Sequence, residues 1–144
     1  MNQLKKLAMH EILAQTAQIK DRGKQIEFLR LHGSKHLHEA LAFSYDERIH
    51  WLLPATNPPY TPVTEDDEYT QMSFHRECRL GKLYYFVHGG KGANINPSQR
   101  ENIFIQLLES LDPRDAELLL TLKNKKLPDG ITRELIEEAY GVMS

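Results

Sequence analysis

The residues best able to do chemistry gather between positions 75 and 100. Cys78 is the one cysteine of the chain, and His75 lies three positions before it, so on a helix the two side chains share a face. A thiolate there could attack an electrophile with His75 or His88 as base, and Arg76 and Arg79 would favour its charged form. The third group that orients such a base is not identifiable. As metal ligands, His75 and Cys78 supply half of the four that a structural zinc site takes, with no second close pair. No catalytic residue, metal site or cofactor is therefore expected, although a small nucleotide-binding or thiol enzyme around Cys78 is a further alternative.

His32, His36 and His38 also lie together, but His32 and His36 would share a helical face only if no break fell between them. Gly33 and Ser34 predict a break. The loop Gly89-Gly90-Lys91-Gly92-Ala93-Asn94 has the glycines and the lysine of a phosphate cradle. Its order is wrong, because a P-loop follows a strand and ends in Gly-Lys-Ser/Thr at a helix start. A helix stop with a flexible link is the simpler expectation.

Two surfaces remain. His75, Arg76, Arg79, Lys82, His88, Lys91 and Arg100 accompany Tyr84, Tyr85 and Phe86, a mixture that can bind phosphates and stack bases. Three consecutive aromatics point in different helical directions, so at least one is expected in the core. Nucleic-acid binding through Arg76, Arg79, Lys82, Lys91 and Arg100 is one expectation. The other uses Trp51, just before the proline-rich residues 54–63, and Tyr60 within them, which could anchor a protein partner, unless that segment is a strap across the domain's own helices.

The elements that must position these groups are helical. Leu4, Leu7, Ala8, Ile12 and Leu13 keep helical spacing and predict a helix over 3–17. A second begins near Asp21 and stops at Gly33, a third is capped by Ser34, and a short amphipathic segment, 49–53, precedes Pro54. Residues 54–63 hold four prolines and predict a stiff extended connector. Thr64 with Asp67 predicts a helix start and a helix running to Gly89, with Gly81 as its weak point. Asn96-Pro97 and Asp112-Pro113 each place a cap before a proline at the first helical position, and Thr132 caps the last helix, with Ile131 and Ile136 as a staple.

Ile26–Phe43 and Ile105–Leu122 match in apolar pattern at an offset of 79, which suggests two related helical hairpins. The fold class is thus all-α: one compact domain over 1–144, of about six to seven helices, with the 54–63 connector between two helical halves.

Composition agrees. Forty per cent hydrophobic and 26% charged residues suit a globular chain that needs no staple. A lone cysteine fits a reducing compartment, no apolar run reaches the roughly 18 residues of a membrane span, and Glu11 and Gln15 interrupt any signal-like core. Cytoplasmic residence is expected. The net charge of −2 hides alternation along the chain: +2 over 1–53, −4 over 54–68, +4 over 69–100 and −4 over 101–144.

Trp51-Leu-Leu-Pro, Pro58-Pro-Tyr-Thr-Pro, the stretch from Phe104 to Leu119, Lys126-Leu-Pro and Gly130-Ile-Thr together resemble a family of small proteins of T-even-like tailed phages. The resemblance covers most of 20–140 and is most specific over 104–119. It implies a viral protein in the cytoplasm of an infected bacterium and carries no activity or catalytic residue. The leading expectation is a non-enzymatic adaptor that docks onto a host or phage protein, in nucleic-acid metabolism or host takeover. Nucleic-acid binding by 75–100 is the alternative, no membrane is involved, and no oligomeric state is implied.

Overall fold

Helix starts in this chain are written by short polar side chains that take up otherwise orphaned amides. Asp21 accepts from the Lys24 N–H, Ser34 from Leu37, Asn96 from Gln99, Asp112 from Arg114 and Thr132 from Leu135. The computed structural model describes residues 6–63, 73–92 and 94–143. Among these lie seven α-helices: α1 (Met9–Gln18), α2 (Arg22–His32), α3 (Lys35–Tyr45), α4 (Phe74–Arg79), α5 (Pro97–Ser110), α6 (Pro113–Lys123) and α7 (Arg133–Tyr140). The all-α expectation holds.

Their apolar faces close over one interior. Leu29, Leu37, Leu41, Phe86, Phe104, Leu108, Leu119 and Ile136 are fully buried, and Phe86 meets Phe104 edge to face at 5.2 Å, a geometry that adds about 1 kcal/mol to the burial of the rings. Shifted by 79, α3 falls one residue from α6. The two halves are nonetheless used differently: α5 packs on its partner α6, whereas α2 packs mainly on α7 and α1, and α3 crosses to α6.

Two expected helical segments take other forms. Residues 49–53 are extended: the Leu52 N–H donates to the Phe86 carbonyl at 2.7 Å and the His88 N–H to His50 at 2.8 Å, an antiparallel bridge between Trp51 and Val87. Five residues before a proline are too few to nucleate a helix, and pairing with a distant segment satisfies the backbone instead. The helix expected to reach Gly89 stops at Arg79, because Gly81 turns left-handed at φ 77°, and a single 3₁₀ turn, Lys82–Tyr85, follows. Ser73 caps α4. The Thr64–Asp67 cap lies outside the described residues, as does Leu4. The first helix begins at Met9, where Glu11 reaches back to the Ala8 N–H.

Cationic side chains sew the elements together by donating to backbone carbonyls. Lys125, itself left-handed at φ 62°, donates to Phe43, Asp46 and Ile49 at the end of α3, and burial lowers its proton affinity. Arg30 donates to Glu138 and Ala139 at the end of α7. These are the ends where the helix dipole favours positive charge.

One ionisable pair joins α1 to the first turn of α6. Asp115, almost wholly buried, accepts from the His10 ring nitrogen Nδ1 at 2.8 Å and from the His10 amide at 3.1 Å. The hydrogen bond to Asp115 raises the pKa of His10 above its ordinary 6.5, against the opposing effect of burial. A raised folded-state pKa gives stability that is full below the unfolded value and lost as pH climbs through the folded one. His38 and His75 are shifted downward by burial and act in the opposite sense, so wild type must be compared with Asp115→Asn. At pH 6 the variant is expected to lose about 1 kcal/mol, the difference between a charged and a neutral hydrogen bond. By pH 8.5 the gap should close, as read from urea unfolding. A gap that is constant with pH would refute the pairing.

Candidate functional site

Three separate stretches of chain turn basic side chains toward one cleft of about 490 Å³. Lys6 and Leu7 come from the segment before α1. Leu31, His32, Ser34 and His36 come from the α2–α3 corner, and Ser73, His75, Arg76 and Arg79 from α4. No carboxylate stands among these lining residues. The break at Gly33 and Ser34 is real, since α2 ends at His32 and α3 begins at Lys35. It does not separate His32 from His36, because the corner folds both into the same cleft.

The electrostatics follow from this crowding. Lys6, Arg76 and Arg79 are exposed at the cleft, and among the described residues neither arginine has an ion-pair partner. His75 is half-buried, with Nε2 3.3 Å from the Leu7 carbonyl. Burial depresses its proton affinity by more than the Leu7 carbonyl and the Asp115 carboxylate raise it, and Lys6 and His36 depress it further. The buried Nδ1 of His36 has no hydrogen-bond partner among the described residues. Ser34 and Ser73 are occupied as caps, accepting from Leu37 and Arg76, yet a hydroxyl that accepts still has a proton to donate.

The basic segment is split by the fold. Arg76 and Arg79 reach the cleft. Lys82 lies over the Tyr85 ring, 5.7 Å from its centroid, and Lys91 is exposed, with Nζ 3.5 Å from the Leu80 carbonyl. Arg100 leaves the expected nucleic-acid set: it is 6% exposed, and its guanidinium donates to the carbonyls of Tyr85, Gly92 and Ile95. Phe86 is the core member of the aromatic run, while Tyr84 stays 40% exposed with its ring edge against Phe43.

The glycine loop is a packing device. Side chains at Gly90 and Gly92 would run into the carbonyls of Tyr84 and Tyr85, so these positions exist to let two backbones approach. Cys78 is equally occupied: it is 8% exposed, and burial, with Asp115, Glu39 and Glu77 nearby, pushes its thiol well above the usual value. That is the reverse of the activation expected from Arg76 and Arg79, and among the described residues no hydrogen bond joins it to His75 or His88. No group of three or more potential metal ligands occurs among the described residues.

Trp51 and Tyr60 are spent on the fold. The Trp51 indole donates to the Phe43 carbonyl at 3.0 Å and its ring packs on Phe43; Tyr60 packs against the core. The connector 54–63 is a strap, held by Lys123 on the carbonyls of Ala55 and Thr56, by Asn124 on Asn57, and by Glu109, which accepts from the Thr61 N–H.

Fold and site together define an all-α domain with a cationic cleft at a helix corner, lined by no carboxylate among the described residues. The chain belongs to a family of unknown function, DUF6433, whose pattern matches residues 12–129. No curated protein and no solved structure matches it.

Proposed function

We propose that this protein is a non-catalytic binding protein whose ligand is a nucleic acid, held at the cationic cleft, with Lys82 and Lys91 as further basic contacts outside it. The observation that carries this reading is the convergence of Lys6, His32, His36, His75, Arg76 and Arg79 on one cleft, with no carboxylate among its described lining residues. Such a surface attracts polyanions and gains affinity by releasing their counterions. Tyr84, exposed beside Gly81, offers a ring on which a base can stack. The resemblance to a tailed-phage family adds the setting, the cytoplasm of an infected bacterium. Among the described residues no helix is long and apolar enough to cross a membrane.

Fluorescence anisotropy with labelled single- and double-stranded DNA and RNA tests this. Binding at low salt should weaken with added salt, and Arg76→Ala with Arg79→Ala should lower the slope of log affinity against log salt by about 0.7–0.9 for each phosphate that the variant fails to neutralise. Both residues are exposed, so the variant should fold. No binding at low salt, or equal binding by the variant, overturns the reading.

Docking onto a host or phage protein is the second reading. Trp51 and Tyr60 no longer serve as its anchors. Leu80, 55% exposed, beside Tyr84 favours it, since an apolar pair amid cations suits an interface core with a polar rim. A stoichiometric partner recovered from infected cells by wild type but not by Leu80→Asp would support it.

A further inference from the structure

From the same cleft we infer that the group it holds is a terminal phosphomonoester, on a nucleic-acid end or a free nucleotide, with Arg76, Arg79 and Lys6 as its ion-pairing residues. This rests on the nucleic-acid reading for the strand, but not for the phosphate itself.

The first argument is the density of charge. A groove that follows an internal backbone spreads its cations along the strand, one for each singly charged diester. Here six cationic or protonatable side chains surround a single concavity of about 490 Å³, a volume of the order that encloses one small ligand rather than a run of nucleotides. A monoester carries about −1.5 to −2 charge at neutral pH and three strong acceptor oxygens. It therefore gains nearly twice the Coulomb energy of a diester from each cation. Guanidinium groups pair with such oxygens two at a time.

Basic groups also oppose one another at this cleft. Lys6 and His36 both oppose a charge on His75. The first turn of α3 carries no acid and instead has Lys35 and His36, adding positive side chains to the positive end of the helix dipole. A dianion seated among Lys6, Arg76, Arg79 and the imidazoles reverses the sign of every one of these interactions. The hydroxyl protons of Ser34 and Ser73 and the unpartnered Nδ1 of His36 supply further polar groups at the same walls. Leu7 and Leu31, which also line the cleft, give a base or sugar an apolar surface.

The experiment compares one labelled oligonucleotide bearing a 5′-phosphate, a 3′-phosphate or hydroxyls at both ends, with a nucleoside monophosphate and inorganic phosphate as competitors at matched ionic strength. At least one phosphorylated end is expected to bind tenfold or more tightly than the hydroxyl strand. That preference should vanish in Arg79→Ala and in Lys6→Ala, both at exposed positions, with unchanged circular dichroism confirming folding. Competition by the mononucleotide as strong as by the phosphorylated strand would identify a free nucleotide as the source. Equal affinity for all strands would overturn the terminal-phosphate inference and leave the nucleic-acid reading standing. Binding of the mononucleotide or of phosphate without any strand would do the opposite, and no binding of any probe would end both.

Discussion

Arg100→Met is expected to destabilise the protein by about 3 kcal/mol, because buried carbonyls lose a charged donor, although the residue lies outside the cleft. The guanidinium is 6% exposed and donates to Gly92 at 2.7 Å, Ile95 at 3.0 Å and Tyr85 at 3.3 Å. Methionine fills much of the same volume but takes a donor from three carbonyls; that of Gly92 still accepts from the Ile95 N–H, whereas those of Tyr85 and Ile95 lose the guanidinium at a cost of order 1–3 kcal/mol each if water cannot reach them. This side chain ties the carbonyls of Tyr85, Gly92 and Ile95 to α5. Lysine keeps the charge but not the planar fork, so Arg100→Lys should recover only part of the loss. For a chain of this length the methionine variant should melt roughly 10 °C lower, whereas Arg79→Met, on the surface, should lie within about 0.5 kcal/mol of wild type. An Arg100→Met protein as stable as the Arg79 variant would show that the carbonyls find other partners and that the loop does not depend on α5.

This contrast between two arginines marks how far the sequence could be read. The caps Asp21, Ser34, Asn96, Asp112 and Thr132 were all legible, because a cap is satisfied within three residues of itself. The Trp51–Val87 bridge was not: its partners are distant in the chain, and nothing local in Ile49–Leu53 announces a pairing. Gly81 could be flagged as a weak point in a helix, but whether a glycine is tolerated or turns left-handed is settled by what packs around it. The exposed fate of Arg76 and Arg79 and the buried fate of Arg100 depend on which carbonyls end up nearby. The cleft was half legible. Its arginines and His75 stood out as a basic segment, and His32 and His36 as a cluster, but Lys6, Ser34 and Ser73 carry no spacing signal toward them. The turn at Gly33 sets His32 beside His36, and the packing of α4 on α3 brings the arginines and His75 to them.

Gly33→Ala should therefore disturb both the fold and the cleft, and the cost is expected to reach about 3 kcal/mol. Gly33 sits at φ −86° and ψ −175°, a conformation any residue adopts, so the penalty is not backbone strain. It comes from space. A methyl group there would collide with the Tyr140 hydroxyl and the Leu29 carbonyl, the two groups that close the end of α2. That carbonyl accepts from the Gly33 N–H at 2.8 Å and from the Tyr140 hydroxyl at 2.6 Å. Burial pushes the Tyr140 pKa up to about 12. Overpacking of this kind costs about 1–3 kcal/mol, and losing the tyrosine hydrogen bond adds about 1 kcal/mol. Tyr140→Phe removes one of the two colliding groups, so the double variant should be more stable than the sum of the singles predicts. A coupling of about 1 kcal/mol or more in a double-mutant cycle is the expected result. Strict additivity would place the collision elsewhere. Because Gly33 lies between His32 and Ser34, the same methyl group should also misalign the cleft, and the affinity for a phosphorylated strand should fall in Gly33→Ala even under conditions where the protein remains fully folded.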